Sequence, residues 1–509
     1  MEPSPVQRMR EEESMNTEEN AAMMPMSVGD VAHAVQGELR TRSQSDADAI
    51  ITSAVTDSRQ IRSGSVFVAI KGERVDGHDF VAGAGEAGAV AALVEHLIPD
   101  VSIPQILVHN SVAALGLLAQ RNVELRRASA GEFTIIGITG SVGKTTTKDM
   151  LFSLLSSLGP TVAPVGSFNN EIGLPLTALQ VGEHTRFLVA EMGANHIGEI
   201  AHLTRIAPPD IAVVLKVGVA HLGEFGSVEH IAQAKSEIVR GLVPGGIAVL
   251  NGDDERVAAM APLSDHVLWF GLGDAHEGVK AGNIQLDGLG RPAFDMETKR
   301  GGIRVQLGIG GEHNVMNALA AATVALECGM SLEQVALGLQ SLHRISPHRM
   351  AVSTVTRRGT SFTLIDDSFN ANPDSMRAGI NGMMAWQGND TQTQPYKVAV
   401  LGAMLELGDD AERLHKEIGA YAVQSGVRCL IAVGSESDAQ FDAWAGAMSQ
   451  GGSDAAQGDT NVSVHWVHNT EQADELVCDI AREHPNTVVL LKGSHFSGLS
   501  TLAEHWENE

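Results

Sequence analysis

"FTIIGITGSVGKTTTKDMLFSLLSSLG", residues 133–159, decides how the chain is read. A run of apolar, largely β-branched residues leads into a glycine-marked loop, and a helical pattern follows from Lys144 to a stop at Gly159. A strand that feeds a helix through such a loop points backbone N–H groups and the positive end of the helix dipole at one place, which suits a polyphosphate. Gly140 and Gly143 allow close backbone approach, so Gly140, Ser141, Val142, Gly143, Lys144, Thr145 and Thr146 form the expected nucleotide cradle. Lys144 would reach the terminal phosphates and the Thr145 hydroxyl would ligate Mg²⁺. The spacing G-x4-G-K-[ST] is not met, because Ile138 stands at the first glycine position, and the shorter G-x-x-G-K-T-T remains. The bland alternative is a strand–helix turn with a lysine there by chance.

Reading outward, more strand–helix pairs follow. "RFLVA" (186–190) ends at Glu191, "IAVVLKV" (211–217) ends ahead of His221, and "GIAVLN" (246–251) ends ahead of Asp253. This alternation implies an α/β protein with a mostly parallel central sheet. Ligands of such sheets bind at the carboxyl ends of the strands, where the glycine loop, Glu191 and His221 fall. Upstream, "SVFVAIKG" (65–72), "GAVAALVEH" (88–96) and "IPQILVH" (103–109) read as strands of a small α/β unit, and Ser111–Arg127 reads as a linking helix. Downstream, "FTLIDD", "KVAVLG", "CLIAVG" and "TVVLLKG" suggest a smaller doubly wound, Rossmann-like domain. The expected organisation is a disordered tail at 1–25, an N-terminal domain at 26–109, a central domain at 110–345 and a C-terminal domain at 346–509. "SQGGSDAAQGDTN" (449–461) reads as a flexible insertion.

Bulk properties narrow the class. A length of 509 residues calls for several domains, since single cores rarely grow past about 250–300 residues. A net charge of −27 leaves no basic excess with which to coat nucleic acid. Any anionic substrate must then be held by local cations and backbone N–H groups. Cys328, Cys429 and Cys478 lack metal-ligand spacing and read as small hydrophobes in a reducing compartment. No apolar run approaches the ~18 residues of a membrane span, and the acidic N-terminus lacks the apolar region of a secretory signal. A cytoplasmic enzyme is expected.

Several side chains stand out on pattern. Glu191 at a strand end can hold Mg²⁺ with Thr145, or cap a helix. On a wheel of residues 227–242, Lys235 lies inside the apolar stripe of Ile231, Ala234, Ile238, Val239 and Leu242. A buried ammonium is costly unless paired or modified, so it is either a snorkelling lysine paired with Glu191 or a phosphate, or a modified one. Asn314 and Asn317 share one face of a helix expected from about Glu312 to Gly329, and they serve either as N-terminal caps or as ligand contacts.

The segments "GSFNNEIGLPLT" (166–177), "EMGANHIGEI" (191–200), "AHLGEFGSVEHIAQAKSEI" (220–238), "GEHNVMNALAA" (311–321), "PHRM" (347–350), "DDSFNANPDSM" (366–376) and "LKGS" (491–494) follow the phosphate loop in order. Together they resemble the successive motifs of the Mur ligase family, over everything except the first ~25 residues. The likeness is to those members that add D-alanyl-D-alanine to UDP-N-acetylmuramoyl-tripeptide. It implies three domains: an N-terminal UDP-binding one, a central P-loop ATPase-like one and a C-terminal Rossmann-like ligase one. It implies ATP and Mg²⁺ as cofactors and a monomer that engages neither nucleic acid nor membrane.

By that resemblance Lys144, Lys235 and His221 are catalytic, and Thr145, Glu191, His221 and Lys235 surround metal. Lys235, fourteen residues after His221, matches the lysine that the family carbamylates with CO₂. Asn314, Asn317, Arg349 and Asp366 (or its neighbour Asp367) would contact ATP. Ser58, Arg59, Lys71 and His78 would serve the UDP group, though as bare sequence they read as surface turn residues, and Asn169, Asn170 and Thr177 the muramoyl peptide. The "DNPR" motif by which other members take a diamino acid is missing. "LGAMLELGDDAERLHKEIG" (401–419) stands in the third domain with Ala403 in a usually acidic position, and His495 replaces the arginine of the commoner "KGSR". Asp and His residues of this domain are candidates for the proton acceptor. The rival readings are a folylpolyglutamate synthetase of the same superfamily and a catalytically silent nucleotide-binding regulator.

Overall fold

The apolar run after Phe133 becomes the strand Thr134–Thr139, which lies inside a nine-stranded sheet in a computed structural model of the chain. The structure describes residues 22–72, 75–218, 222–343, 345–388 and 394–508. The expectation of a disordered tail lies outside these residues as far as position 21, and so does the assignment of His221.

Across the central sheet the strands run Gly301–Gln306, Pro292–Thr298, Gly278–Leu286, His266–Gly271, Ile247–Asn251, Ile211–Val214, Thr134–Thr139, Phe187–Glu191 and Thr161–Val162. All neighbouring pairs from Gly278–Leu286 to Thr161–Val162 are parallel, and the two hairpin partners at the other edge are antiparallel. Strands covered on both faces read as unbroken apolar runs, and every residue of Ile211–Val214 and Phe187–Glu191 is buried. Ile135, Leu188 and Val214 pack with Leu115 and Ile238 on one face. Ile136, Val189 and Val213 pack with Leu151 and Leu319 on the other. After Phe187–Glu191 the chain crosses to the opposite side of Thr134–Thr139, so the strand order reverses beside the phosphate loop. Such a reversal opens a crevice at the carboxyl ends of the strands.

The N-terminal sheet has five strands, in the order Glu38–Arg40, Gln105–Leu107, Ala89–Val94, Ser65–Val68 and Ser53–Val55. The linking helix Ser111–Ala128 joins it to the central layers. Residues 22–25 are ordered chain rather than tail. Met23 is 1% exposed and its N–H donates to Thr52 O. The N–H of Met24 donates to the Asn122 side chain, whose amide donates in turn to Ala178 O and Val181 O.

The third sheet has six strands, in the order Ala351–Arg357, Thr360–Asp366, Thr487–Lys492, Tyr396–Gly402, Cys429–Val433 and Ser463–Val467. All but the first pair are parallel. The expectation of a flexible insertion at 449–461 is corrected at its start, because the helix Ala439–Ala455 runs through residues 449–455. Gly451 and Gly452 are not loop markers there. A Cβ on Gly451 would collide with Lys416 O, and one on Gly419 with Met448 O, so these glycines let two helices touch backbone to backbone. Cys429 and Cys478 are buried and Cys328 is half-buried, with no disulfide among them. Among the described residues no helix is long and apolar enough to cross a membrane.

Because Gly451 meets backbone rather than a movable side chain, Gly451→Leu should cost on the order of 3 kcal/mol, as overpacking does. A urea titration should show the third unit unfolding earlier, and an unchanged midpoint would contradict the close helix contact.

Candidate active site

The loop between Thr139 and Lys144 is shaped by two glycines. Gly143 takes a left-handed φ of +85°, and a Cβ there would also run into the Asn317 side chain. Ser141 ties the loop to the adjacent strand's end: its N–H donates to Lys216 O at 2.8 Å, and its hydroxyl accepts from Gly218 N at 2.9 Å. The helix Lys144–Ser156 starts without a side-chain cap, so its first N–H groups face the crevice without intrahelical partners. Lys144 Nζ donates to Gly140 O at 2.8 Å. Burial pulls its pKa below the usual lysine range, opposed by Glu191 and aided by Arg349.

Thr145 Oγ1 donates to Glu191 Oε2 at 3.0 Å, and Asn169 Nδ2 donates to Glu191 Oε1 at 2.7 Å. Glu191 is therefore no helix cap. The expected pair for Mg²⁺ stands side by side, buried, next to the bare helix start. Among the described residues no cluster of three or more His, Cys, Asp or Glu is assembled for a metal. An ion here would thus draw on Thr145, Glu191, phosphate and water, the oxygen-rich set Mg²⁺ favours.

Lys235, on the helix Val228–Arg240, lines the same cleft at 3% exposure. Burial and the like charge of Lys144 bring its pKa down to about 7. Pairing with Glu191, one reading open from the pattern, is not found, and that carboxylate accepts from Thr145 and Asn169.

The amides of the helix Asn314–Glu327 are not caps either. Asn314 is the first helical residue and donates to Gly310 O at 2.7 Å, while Asn317 donates to Asn314 Oδ1 at 2.8 Å. Both line the cleft opposite the phosphate loop. From the third unit, Arg349 crosses to within 3.3 Å of Thr145 Oγ1 and lays its guanidinium 4.5 Å from the Phe369 ring centre. Asp366 does not line the cleft. His348 Nδ1 lies 2.7 Å from one of its oxygens and the Ser368 hydroxyl donates to the other at 2.5 Å. Its neighbour Asp367 faces the cleft instead, 2.7 Å from the buried Lys492 Nζ.

The cleft encloses about 490 Å³ between the central and third units. Lys216 and Asp374 approach across its mouth at 3.4 Å. Lys492 and Asp374 were not singled out one by one from sequence, although "LKGS" and "DDSFNANPDSM" contain them, whereas Asp367 was named there as the alternative to Asp366. A lysine that closes the apolar strand "TVVLL" was the available signal.

Other expected contacts resolve differently. Asn169 is in the cleft, whereas Thr177 is buried with its hydroxyl donating to Gly173 O, and Asn170 Oδ1 accepts from Ile172 N and Gly173 N. Both serve their own helix start. His78 is 4% exposed and both ring nitrogens are engaged. Glu95 N donates to Nε2 at 2.9 Å, leaving Nδ1 to donate to Asp76 at 2.7 Å. Arg59 pairs with Asp57 on an exposed 3₁₀ turn that begins at Ser58, and Lys71 bridges to Asp76 in an exposed hairpin-like contact. None of these four lines the cleft. His415 is excluded as a proton acceptor: Met404 N donates to its Nε2, Nδ1 meets Ala411 O, and burial lowers its pKa to about 4.

Three family descriptions match in order: "Mur ligase family, catalytic domain" at 50–122, "Mur ligase middle domain" at 138–325 and "Mur ligase, glutamate ligase domain" at 348–495. A UDP-N-acetylmuramoyl-tripeptide–D-alanyl-D-alanine ligase of Mycobacterium bovis is 42% identical over 502 residues, covering 95% of this chain and 98% of that protein. The enzyme of the same name from Escherichia coli is 32% identical, covering 94% and 97%. The crystal structure of MurF from Acinetobacter baumannii aligns with a TM-score of 0.80 at 33% identity, covering 96% of this chain and all of that one. The MurF ligase of Thermotoga maritima in complex with ADP aligns at 0.72 with 30% identity, covering 90% and 97%.

Lys144→Ala should weaken ADP binding by at least about tenfold, the size of one lost charged hydrogen bond. The melting temperature should hold, because the hydrogen bond lost is one within the loop itself, to Gly140 O. Calorimetric titration with ADP checks this, and unchanged affinity would remove Lys144 from the phosphate site.

Proposed function

The chain belongs to the Mur ligase family, and on that premise we propose that it joins D-alanyl-D-alanine to the terminal carboxyl of UDP-N-acetylmuramoyl-tripeptide with cleavage of ATP. The observation that carries this reading is one cleft in which an uncapped phosphate loop, a Thr145–Glu191 pair and an arginine from another unit converge, in a chain similar end to end to ligases of that name. Nothing in that similarity favours a folylpolyglutamate synthetase or a silent regulator.

A carboxylate oxygen of the tripeptide attacks the γ-phosphorus of ATP, and the bond to ADP breaks. The acyl phosphate that results is attacked by the dipeptide amine. The tetrahedral adduct expels phosphate, and the amine's proton leaves to an acceptor. Transfer of this kind depends on positioning and charge neutralisation more than on covalent help. The loop N–H groups and Lys144 hold the polyphosphate, and Arg349 adds a cation from the opposite wall. Asn317, packed against Gly143 of the loop, and Asn314 beside it would contact the nucleotide from that wall. Mg²⁺ held by Thr145 and Glu191 would neutralise phosphate charge as the bond breaks. The N-terminal sheet, in this reading, carries the UDP group.

Lys235 is the buried amine that CO₂ would convert to a carbamate, forming an N–C bond and releasing a proton. The product is an anion beside the Lys144 ammonium, and by resemblance it would help to hold a second metal, for which His221 is the other expected ligand.

Phosphate release should require both substrates: tripeptide alone or dipeptide alone should give little, and the pair should give steady turnover. Turnover with glutamate in place of the dipeptide would favour the folate branch of the family. Lys235→Ala should be nearly inactive but partly restored by acetate or formate, since a small carboxylate can take the carbamate's place near the metal. Failure of every short carboxylate to restore activity would leave Lys235 an unmodified amine.

A further inference from the structure

Arg349 reaches the phosphate loop on a chain crossing that the phosphate-loop helix itself holds. Ser346 stands three residues before Arg349. Its N–H donates to Asp149 Oδ2 at 2.7 Å, and its hydroxyl donates to Asp149 Oδ1 at 3.0 Å. Lys148 donates to that hydroxyl at 3.2 Å and to Pro164 O at 2.9 Å, and it stands 2.5 Å from Asp149 Oδ1. Both residues belong to the helix Lys144–Ser156, one turn beyond the lysine and threonine that face the phosphates. At the other end of the crossing, His348 is held by Asp366 at 2.7 Å.

At and just beyond the second anchor the backbone is strained. His348 and Met350, on either side of Arg349, have φ of +59° and +50°. L residues rarely adopt this region, and it persists only where neighbouring contacts over-determine it. Asp149 lies far enough along the helix to be absent from the cleft lining, while Arg349 lies in it. An ion pair that is nearly dry, with a hydroxyl and a backbone N–H satisfying its oxygens, is stiff, because breaking it strands a buried charge.

We propose that Asp149, with Lys148 as counter-ion, is a positioning residue: by fixing Ser346 it sets where Arg349 stands against the phosphate loop. The helix that receives the polyphosphate and the arginine that answers it then move as one piece. Any shift of the third unit reaches the phosphates through a joint already registered to them. The inference rests on the nucleotide reading above.

The test is a double-mutant cycle on the full-length chain, read by ADP affinity and by kcat/KM for ATP. Asp149→Ala should lower both by about tenfold to a hundredfold, as misplacement of a catalytic contact does, with KM for D-alanyl-D-alanine unchanged. In an Arg349→Ala background the same change should make less than about a twofold further difference, because its effect runs through Arg349. Losses that multiply would overturn the proposal and leave the clasp a matter of stability. Ser346→Ala, which deletes one oxygen, gives the same comparison at smaller amplitude if Asp149→Ala fails to fold. Wild-type chain that does not bind ADP would instead defeat the nucleotide reading itself.

Discussion

The start of the helix Lys144–Ser156 carries backbone N–H groups that no side chain caps, and the site is arranged around that fact. Aligned peptides place roughly half a positive charge at such an end. Water satisfies it poorly in a crevice, whereas a polyphosphate satisfies it well. Gly143 gives the turn its left-handed backbone and leaves room for Asn317, so the opposite wall comes close without closing the pocket. Glu191 would oppose an anion directly, but its oxygens are turned to Thr145 and Asn169.

Charge follows the same logic at larger scale. The chain has a net charge of −27, which by itself repels the anions it is read to use. The cleft offsets that charge locally, since Lys144, Lys216, Arg349 and Lys492 line it beside Glu191, Asp367, Asp374 and Lys235, the lysine read as a carbamate. These cations come from two sheets. The third unit contributes Arg349 and Lys492, and it meets the central unit through Lys216–Asp374 and through Gly223 N donating to Glu406 O. A site divided in this way is complete only when the units are together, as in enzymes that commit their substrates by closure.

Much of the architecture was legible because buried parallel strands are continuous apolar runs: the strands ending at Thr139, Glu191, Asn251 and Lys492 were visible as such. The inner strand Gly278–Leu286 and the edge strand Gly301–Gln306 were not, because they alternate with polar residues and lean on a neighbour for their shape. The helix through Gly451 was misread, since glycine marks a loop and a tight helix contact alike. Thr145, Glu191, Lys235 and Arg349, singled out by motif, stand together in one cleft. His78 and Thr177 do not line that cleft, and a sequence does not reveal that Glu95 N or Gly173 O has already claimed a polar atom. Asp366 and Asp367 are adjacent, and only the strand's last residue decides which one turns outward.

The account stands or falls on the carboxylate becoming an acyl phosphate, a mixed anhydride, before the amine arrives. Tripeptide substrate labelled with ¹⁸O in its terminal carboxyl should, on complete turnover with ATP and D-alanyl-D-alanine, pass one labelled oxygen into the released phosphate, read by mass spectrometry. Released phosphate with no label, alongside normal product, would contradict it.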